Sequence, residues 1–364
     1  MTAWSPAQDQ ALKAVAKWLA ASDAPQVFRL FGYAGAGKST LARHLASNVE
    51  GRVVFAAFTG KAALVMRSKG CDDASTIHSL IYRATESETE EPTFVLNGDS
   101  EASRAKLIVI DECSMVDEEL GRDLLSFGRK VLVLGDPAQL PPVKGGGFFT
   151  EAEPDVMLSE VHRQAADNPI IRLSMTIREG GALAPGDYGE TRIVSRKGLD
   201  PALVTSADQV LVGMNKTRRA YNRRLRELRG FSGEFPQSGE KLVCLRNNRK
   251  KGLLNGALFK VKTAGALRRG QVRMLIEPED GDGGIRRVGV IPQFFDGGDG
   301  DIPFAQRKDS DEFDFGYALT VHKAQGSQWN NVALFDESFA FREHRARWLY
   351  TGVTRAAQML TLVV

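Results

Sequence analysis

Over the first 150 residues, four short apolar runs recur between stretches of helical patterning: Gln26–Phe31 (QVFRLF), Arg52–Phe58 (RVVFAAF), Lys106–Ile110 (KLIVI) and Lys130–Leu134 (KVLVL). Each is rich in β-branched or aromatic residues and ends in glycine, polar or charged residues. Continuous apolar runs of this length, spaced by helices, predict buried strands of a mostly parallel sheet. The segments that follow them are GYAGAGKST, TGKAA, DECSM and GDPAQLPP. Ligands of open α/β sheets bind beyond the carboxyl ends of the strands, so these four segments are expected to converge on one cleft.

The pattern returns at Gln209–Met214, Tyr317–His322, Asn331–Phe335 and Met359–Val364, which predicts a second α/β domain. Between its strands, at about residues 256–310, short strand-like runs (LFKVKTA, QVRMLIE, RRVGVI) alternate with glycine-rich turns, the mark of a small all-β insert. A second departure lies at Arg83–Arg104, with six acids (Glu86, Glu88, Glu90, Glu91, Asp99, Glu101) and no base between its end residues. Two domains plus two inserts agree with a length of 364 residues, at roughly 150 residues per domain. No repeat with a solenoid period is present.

Composition narrows the class. At 43% hydrophobic and 26% charged residues the chain can bury a core and is not disordered. No segment approaches the ~18 apolar residues of a membrane span, and the start, MTAWSPAQDQ, has no export signal. Three widely spaced cysteines (Cys71, Cys113, Cys244) form neither a zinc knuckle nor a disulfide framework, which favours a reducing cytosol, that of a bacterium or of a phage's host. The net charge of +3 is no nucleic-acid signature by itself. It averages over an uneven chain: Lys216, Arg218, Arg219, Arg223, Arg224, Arg226 and Arg229 crowd beside the single acid Glu227, and Arg246–Lys251 is a second basic run. Part of each is a candidate for phosphate contact and the remainder is solvated charge.

The chemistry is concentrated after the first strand. Gly32-Tyr-Ala-Gly35-Ala-Gly37-Lys38-Ser39 fits G-x-x-x-x-G-K-[ST] between a strand and a helix. The glycines let backbone N–H groups curl around phosphates, and the helix that begins at Lys38, Ser39 and Thr40 adds its positive end. Lys38 would reach the β- and γ-phosphates, and the Ser39 hydroxyl would ligate Mg²⁺. Asp111 and Glu112 close the third strand, where one acid can hold the metal shell and the other can deprotonate the attacking water. Gln139, after Gly135-Asp136-Pro137, is placed to sense the γ-phosphate. The chain is therefore expected to bind and hydrolyse ATP with Mg²⁺.

The order of segments resembles a superfamily 1 helicase of the RecD-like, Dda-like subgroup, nearly end to end. Ser5-Pro6-Ala7-Gln8 resembles the Q motif, Thr59–Ala63 motif Ia, Ser75–His78 its adjoining single-strand contact, Asp111–Met115 the subgroup's DEASM box and Gly135–Pro142 motif III. Leu158–Gln164 resembles motif IV, Thr320–Ser327 motif V and Tyr350–Ala356 motif VI. Asn215–Asn222, Gly239–Asn248 and Gly252–Gly256 resemble the lead into the subgroup's β-barrel insert.

The resemblance implies two RecA-like P-loop domains with parallel sheets: residues 1–147, with a pin-like insert at 83–104, and residues 148–364, with a small β-barrel-like insert at about 256–310. It implies ATP hydrolysis at their interface. Gln8 would read adenine, Gly326 would lie on the nucleotide side of motif V, and Arg163 and Arg355 would act as arginine fingers. Thr59, Lys61, His78, Thr320 and His322 would face single-stranded DNA, and Phe94 is the aromatic of the pin-like segment that could stack on a fork base. Phe94 packing the hairpin onto the first domain is the alternative. The implied activity is an ATP-dependent DNA helicase travelling 5′→3′ as a monomeric motor on single-stranded and forked duplex DNA. The implied partner class is replication or recombination proteins, with no membrane and no nuclease, relaxase or primase domain of its own.

Three positions depart from the family's pattern. Gln328 replaces a usual carboxylate, Ala324 a frequent serine whose hydroxyl would meet a DNA phosphate, and His162 a stacking aromatic. A single-strand-stimulated translocase with weak strand separation is the nearest rival. A P-loop nucleotide kinase is a more distant one, since it would not need two α/β domains, motif VI or GDPAQLPP.

Overall fold

A computed structural model describes residues 4–85, 94–142, 145–159, 168–279, 284–298, 300 and 302–364. The described residues form two units. The first runs to Leu183 and also takes in Glu343–Thr354; the second holds Ala184–Arg342 and Arg355–Val364.

The first unit is built on six parallel strands: β1 (Val27–Gly32), β2 (Val53–Ala57), β3 (Ser75–Thr76), β6 (Leu107–Asp111), β7 (Lys130–Gly135) and β8 (Val156–Leu158). Their order is β3-β2-β6-β7-β1-β8. The four expected strands are all present, to within a residue or two. Their apolar runs are continuous because both faces are covered. Ile108, Ile110, Val131 and Val133 pack into one core, while Leu107, Val109, Leu132 and Leu134 pack into the other. Helix α1 (Pro6–Ala20) closes the second core with Ala11, Val15 and Trp18, spaced four and three residues apart on one helical face. Its start is fixed by a capping box in which the Ser5 and Gln8 side chains each bond the other's backbone N–H.

Because β8 pairs with β1, the first unit continues past residue 147, the boundary expected from the sequence. The expected pin-like segment at 83–104 is described at residues 83–85 and 94–104. A two-stranded hairpin, β4 (Tyr82–Ala84) with β5 (Phe94–Leu96), carries it. Glu101–Arg104 instead forms a helical turn with Ala102 buried in the first unit's core. Residues 86–93, with four of the six acids, lie outside the described residues.

The second unit has its own six-stranded sheet, from β9 (Gly186–Tyr188), β10 (Thr191–Val194), β11 (Gln209–Val212), β17 (Ala318–Thr320), β18 (Trp329–Phe335) and β19 (Ala356–Val363). The order is β17-β11-β18-β19-β10-β9, parallel except for the β9–β10 hairpin. A third sheet of β12 (Lys241–Cys244), β13 (Leu258–Arg268), β14 (Gln271–Pro278), β15 (Arg286–Val290) and β16 (Phe313–Phe315) is wholly antiparallel. An isolated Val290–Asp311 bridge links the edge strand β15 to the chain just before β16. The β insert is therefore wider than residues 256–310, since β12 and β16 complete it. It also carries two short helical turns, Gln293–Asp296 and Phe304–Arg307.

Candidate nucleotide site and nucleic-acid surfaces

In the first sheet β7 lies between β6 and β1. That order sets the turn after Gly135 between the P-loop and the Asp111-Glu112 pair. Glycine is required at several joints. Gly35 and Gly37 take φ of 81° and 78°, and Gly37 opens helix α2 (Lys38–Ser47) from the left-handed region. A Cβ on Gly135 would sit 2.5 Å from Cys113 Sγ, and one on Gly32 would sit 2.9 Å from Leu158 Cβ.

Lys38 Nζ donates to the carbonyl oxygens of Gly32 and Tyr33 at 2.7 and 3.1 Å, bending back across its own loop. The Ser39 hydroxyl donates to Asp111 Oδ2 at 2.9 Å. Asp111 Oδ1 accepts the Glu112 backbone N–H at 2.9 Å. Glu112 itself holds φ 53° and ψ 45°, a strained conformation for a residue with a side chain, of the sort found at functional sites. Cys113 beneath the pair is fully buried; burial and the neighbouring Asp111 and Glu112 charges push its thiol up, so it stays protonated and inert.

Gln8 is buried, and its Nε2 donates to the Ala36 carbonyl at 3.2 Å, which ties α1 to the P-loop. Gln139 is also buried, and its Oε1 has no hydrogen-bond partner among the described residues. A buried amide oxygen left unmatched beside a P-loop is a group awaiting a ligand or water. These residues fit ATP and Mg²⁺: a cation ligand pair already in contact at Ser39 and Asp111, glycine-shaped backbone for phosphates, and an unused amide.

Two features near the P-loop escaped the sequence reading. The Arg178 guanidinium lies 3.7 Å from the centroid of the Tyr33 ring, a cation–π contact. Tyr350, on the helix Arg345–Val353, accepts the Ala34 N–H at 3.0 Å and donates to Asp136 Oδ2 at 2.6 Å. Nothing in the spacing of residues so far apart along the chain announces either pair.

The remaining expected residues are less uniform. Arg163 and His162 lie outside the described residues. Arg355 is buried in the second unit, where its Nη1 donates to the Ser327 carbonyl at 3.2 Å and so links motif VI to motif V. Gly326, with φ 75°, makes the turn before it. Thr59 caps helix α3 (Gly60–Ser68), accepting the Ala62 N–H at 3.1 Å, with Lys61 in the first turn. His78 lies on helix α4 (Ile77–Ile81), its ring 6.3 Å from Phe58 and 5.6 Å from Tyr82. Although the residue as a whole is exposed, desolvation lowers its pKa, partly offset by Asp117 and Glu119. Thr320 ends β17 and accepts the Lys323 N–H at 3.3 Å; the His322 ring lies 5.4 Å from Phe341.

Phe94 is 62% exposed, so its side chain does not pack the hairpin onto the first unit. Ala324 is fully buried. Gln328 is exposed.

Part of each basic stretch is structural. On the helix Asn215–Leu228, Arg226 makes a bidentate pair with Glu240, at 2.7 and 3.0 Å, and Arg218 bonds Asp314 at 2.6 Å. In the basic run, Arg246 pairs with Glu312 at 3.1 Å and Lys251 with Asp311 at 2.5 Å. Lys216 and Arg223 are exposed.

A P-loop whose serine meets the acid at the end of β6, in a chain with a second parallel α/β unit, defines a P-loop nucleotide-using protein of two RecA-like domains. Residues 4–195, more than half of the chain, match the AAA domain family, to which the chain belongs, and residues 315–363 match the UvrD-like helicase C-terminal domain. Its curated relatives include proteins named as RecD2 and dda DNA helicases. It is 29% identical over 357 residues to the ATP-dependent RecD2 DNA helicase of Deinococcus radiodurans, covering 90% of this chain and 45% of that one. It is 30% identical over 164 residues to the ATP-dependent DNA helicase dda of Enterobacteria phage T4, covering 41% and 37%. The fold is shared with the Pif1 helicase from Bacteroides in complex with ADP-AlF3 and ssDNA, at a TM-score of 0.60 and 16% identity, covering 100% of this chain and 92% of that one. The chain spans less than half the length of either curated relative. Among the described residues, no helix is long and apolar enough to cross a membrane.

Proposed function

We propose that this chain is the motor of an ATP-dependent DNA helicase that moves 5′→3′ on single-stranded DNA and separates the duplex ahead of it. The observation that carries the reading is the meeting of Ser39 with Asp111 beside an unmatched Gln139, all at neighbouring strand ends of one sheet. Lys38 would leave its loop carbonyls for the phosphates. Glu112 would take the proton of the attacking water, and Gln139 would hold that water in line. Ser39 and Asp111 would hold Mg²⁺, which when bound neutralises phosphate charge. Arg163 and Arg355 would meet charge developing on the γ-phosphate, since a guanidinium fork can bond two equatorial oxygens.

DNA would cross the carboxyl edges of both sheets, at Thr59, Lys61 and His78 in one unit and Thr320 and His322 in the other. The RecD2 and dda relatives are named as DNA helicases, and the Pif1 structure holds single-stranded DNA. A weakly unwinding translocase is favoured by one observation: the strands of the pin-like hairpin are only 3 residues each.

Duplexes with a 5′ or a 3′ single-stranded tail decide the matter, under ATP and Mg²⁺ with Lys38→Ala as control. Unwinding from the 5′ tail alone is expected. The variant should lose ATP hydrolysis by on the order of 100-fold, the scale for removing one transition-state donor. Unwinding from the 3′ tail alone overturns the polarity; DNA-stimulated ATPase without unwinding selects the translocase.

A further inference from the structure

We infer that the Tyr350 hydroxyl is a positioning group for ATP hydrolysis, holding the P-loop at Ala34 and the Gln139 turn at Asp136 in one fixed arrangement. The inference rests on the reading of the first unit as an ATPase. Tyr350 is 1% exposed and lies in the first unit, as do all its partners here. A tyrosine hydroxyl has one proton to give and lone pairs to accept with, and both capacities are used: it accepts from Ala34 N–H at 3.0 Å and donates to Asp136 Oδ2 at 2.6 Å.

Asp136, also 1% exposed, passes the restraint onward. Its Oδ1 accepts the Ala138 N–H at 3.0 Å, and its backbone carbonyl accepts the Gln139 N–H at 3.1 Å. The next residue of the same helix repeats the tie, since Thr351 Oγ1 accepts the Leu140 N–H at 2.9 Å. Two consecutive side chains of one helix therefore hold the residues on either side of Gln139, and one of them also holds the P-loop. A catalytic amide and a phosphate loop must keep their spacing to well under an ångström for an in-line attack. This chain meets the requirement by tying both to one oxygen.

Tyr350→Phe keeps the ring and removes the oxygen. Basal ATP hydrolysis is expected to fall about tenfold in kcat, with KM for ATP within about threefold of wild type, because alignment rather than binding is lost. Asp136→Asn should add little to the loss already caused by Tyr350→Phe, since the two act as one unit. The control is Tyr82→Phe, which removes a hydrogen bond of the same kind, from Tyr82 to Asp123 at 2.5 Å, elsewhere in the unit. It should lower the melting temperature as Tyr350→Phe does and leave basal kcat unchanged.

Unchanged kcat in Tyr350→Phe overturns the inference. So does an equal loss in Tyr82→Phe, fully additive losses with Asp136→Asn, or a change confined to KM. Wild-type protein that hydrolyses ATP no faster than Lys38→Ala would instead overturn the ATPase reading beneath it.

Discussion

In the first unit, polar groups around the P-loop are arranged with capacity to spare: Lys38 rests on carbonyls of its own loop, and Gln139 keeps a buried oxygen unmatched among the described residues. In the second unit, four cations of the two basic stretches are committed to protein. Arg226, Arg218, Arg246 and Lys251 each answer a buried carboxylate, Glu240, Asp314, Glu312 and Asp311 in turn. Charge density along a sequence thus points away from the chemistry here, while a spaced motif of glycines and one lysine points to it. The physical reason is desolvation. A carboxylate buried for packing demands a cation within reach, and the small β sheet buries several.

The contrast breaks most sharply at Arg226. Arg226→Ala strands the Glu240 carboxylate, which is fully buried, and should cost about 3–5 kcal/mol in urea unfolding. Arg223→Ala, on the exposed face of the same helix, should stay within about 0.5 kcal/mol of wild type. If exposed Arg223 meets a DNA phosphate, its loss should instead flatten the dependence of log affinity on log salt by about one unit. Equal stability of the two variants would erase the distinction between committed and available charge.

How much of this could be read from sequence follows the same division. The strands β1, β2, β6 and β7 were legible because both faces are covered and the apolar runs are unbroken. Lys38, Ser39, Asp111 and Glu112 were legible because phosphate and metal chemistry fixes residue type and spacing together. The edge strands β3, β8, β9 and β16 were not, being two or three residues long and dependent on distant partners for their pairing. Which arginine of Arg223, Arg224 and Arg226 would be buried was also hidden, because neighbouring arginines differ only in the direction they leave the helix. Tyr350 and Asp136 were invisible for the simplest reason: 214 residues separate them.

Phe94 tests the comparison with a group that carries no charge. An exposed aromatic on a hairpin of two short strands contributes little to the fold, so it too is available rather than committed. Phe94→Ala should leave stability within about 0.5 kcal/mol and DNA-stimulated ATPase near wild type. The unwinding rate of a 5′-tailed duplex should fall several-fold, about the worth of one base–aromatic stack. Equal losses in ATPase and unwinding would remove the fork-stacking role.

His78 falls between the two kinds and gives the smallest effect. Its ring lies beside Phe58 and Tyr82, yet the residue is exposed and lies on the edge expected to meet DNA. Desolvation beside those rings disfavours the charged form, so its folded pKa lies below the ordinary 6.5, with Asp117 and Glu119 pulling back only in part. At pH 7 to 8 the imidazole is neutral and offers a phosphate no ionic attraction. Its gain in charge comes only as pH falls through the lowered value. At that point protonation also costs stability, because the unfolded chain accepts the proton more readily. Fluorescence anisotropy of a labelled single strand should therefore give wild type and His78→Gln parallel, flat affinities above about pH 7. Below pH 6.5 wild type alone should tighten, by a few-fold at most. A gap between the two that opens already between pH 7 and 8 would mean that His78 is charged there, and so available for phosphate in the way Lys38 is.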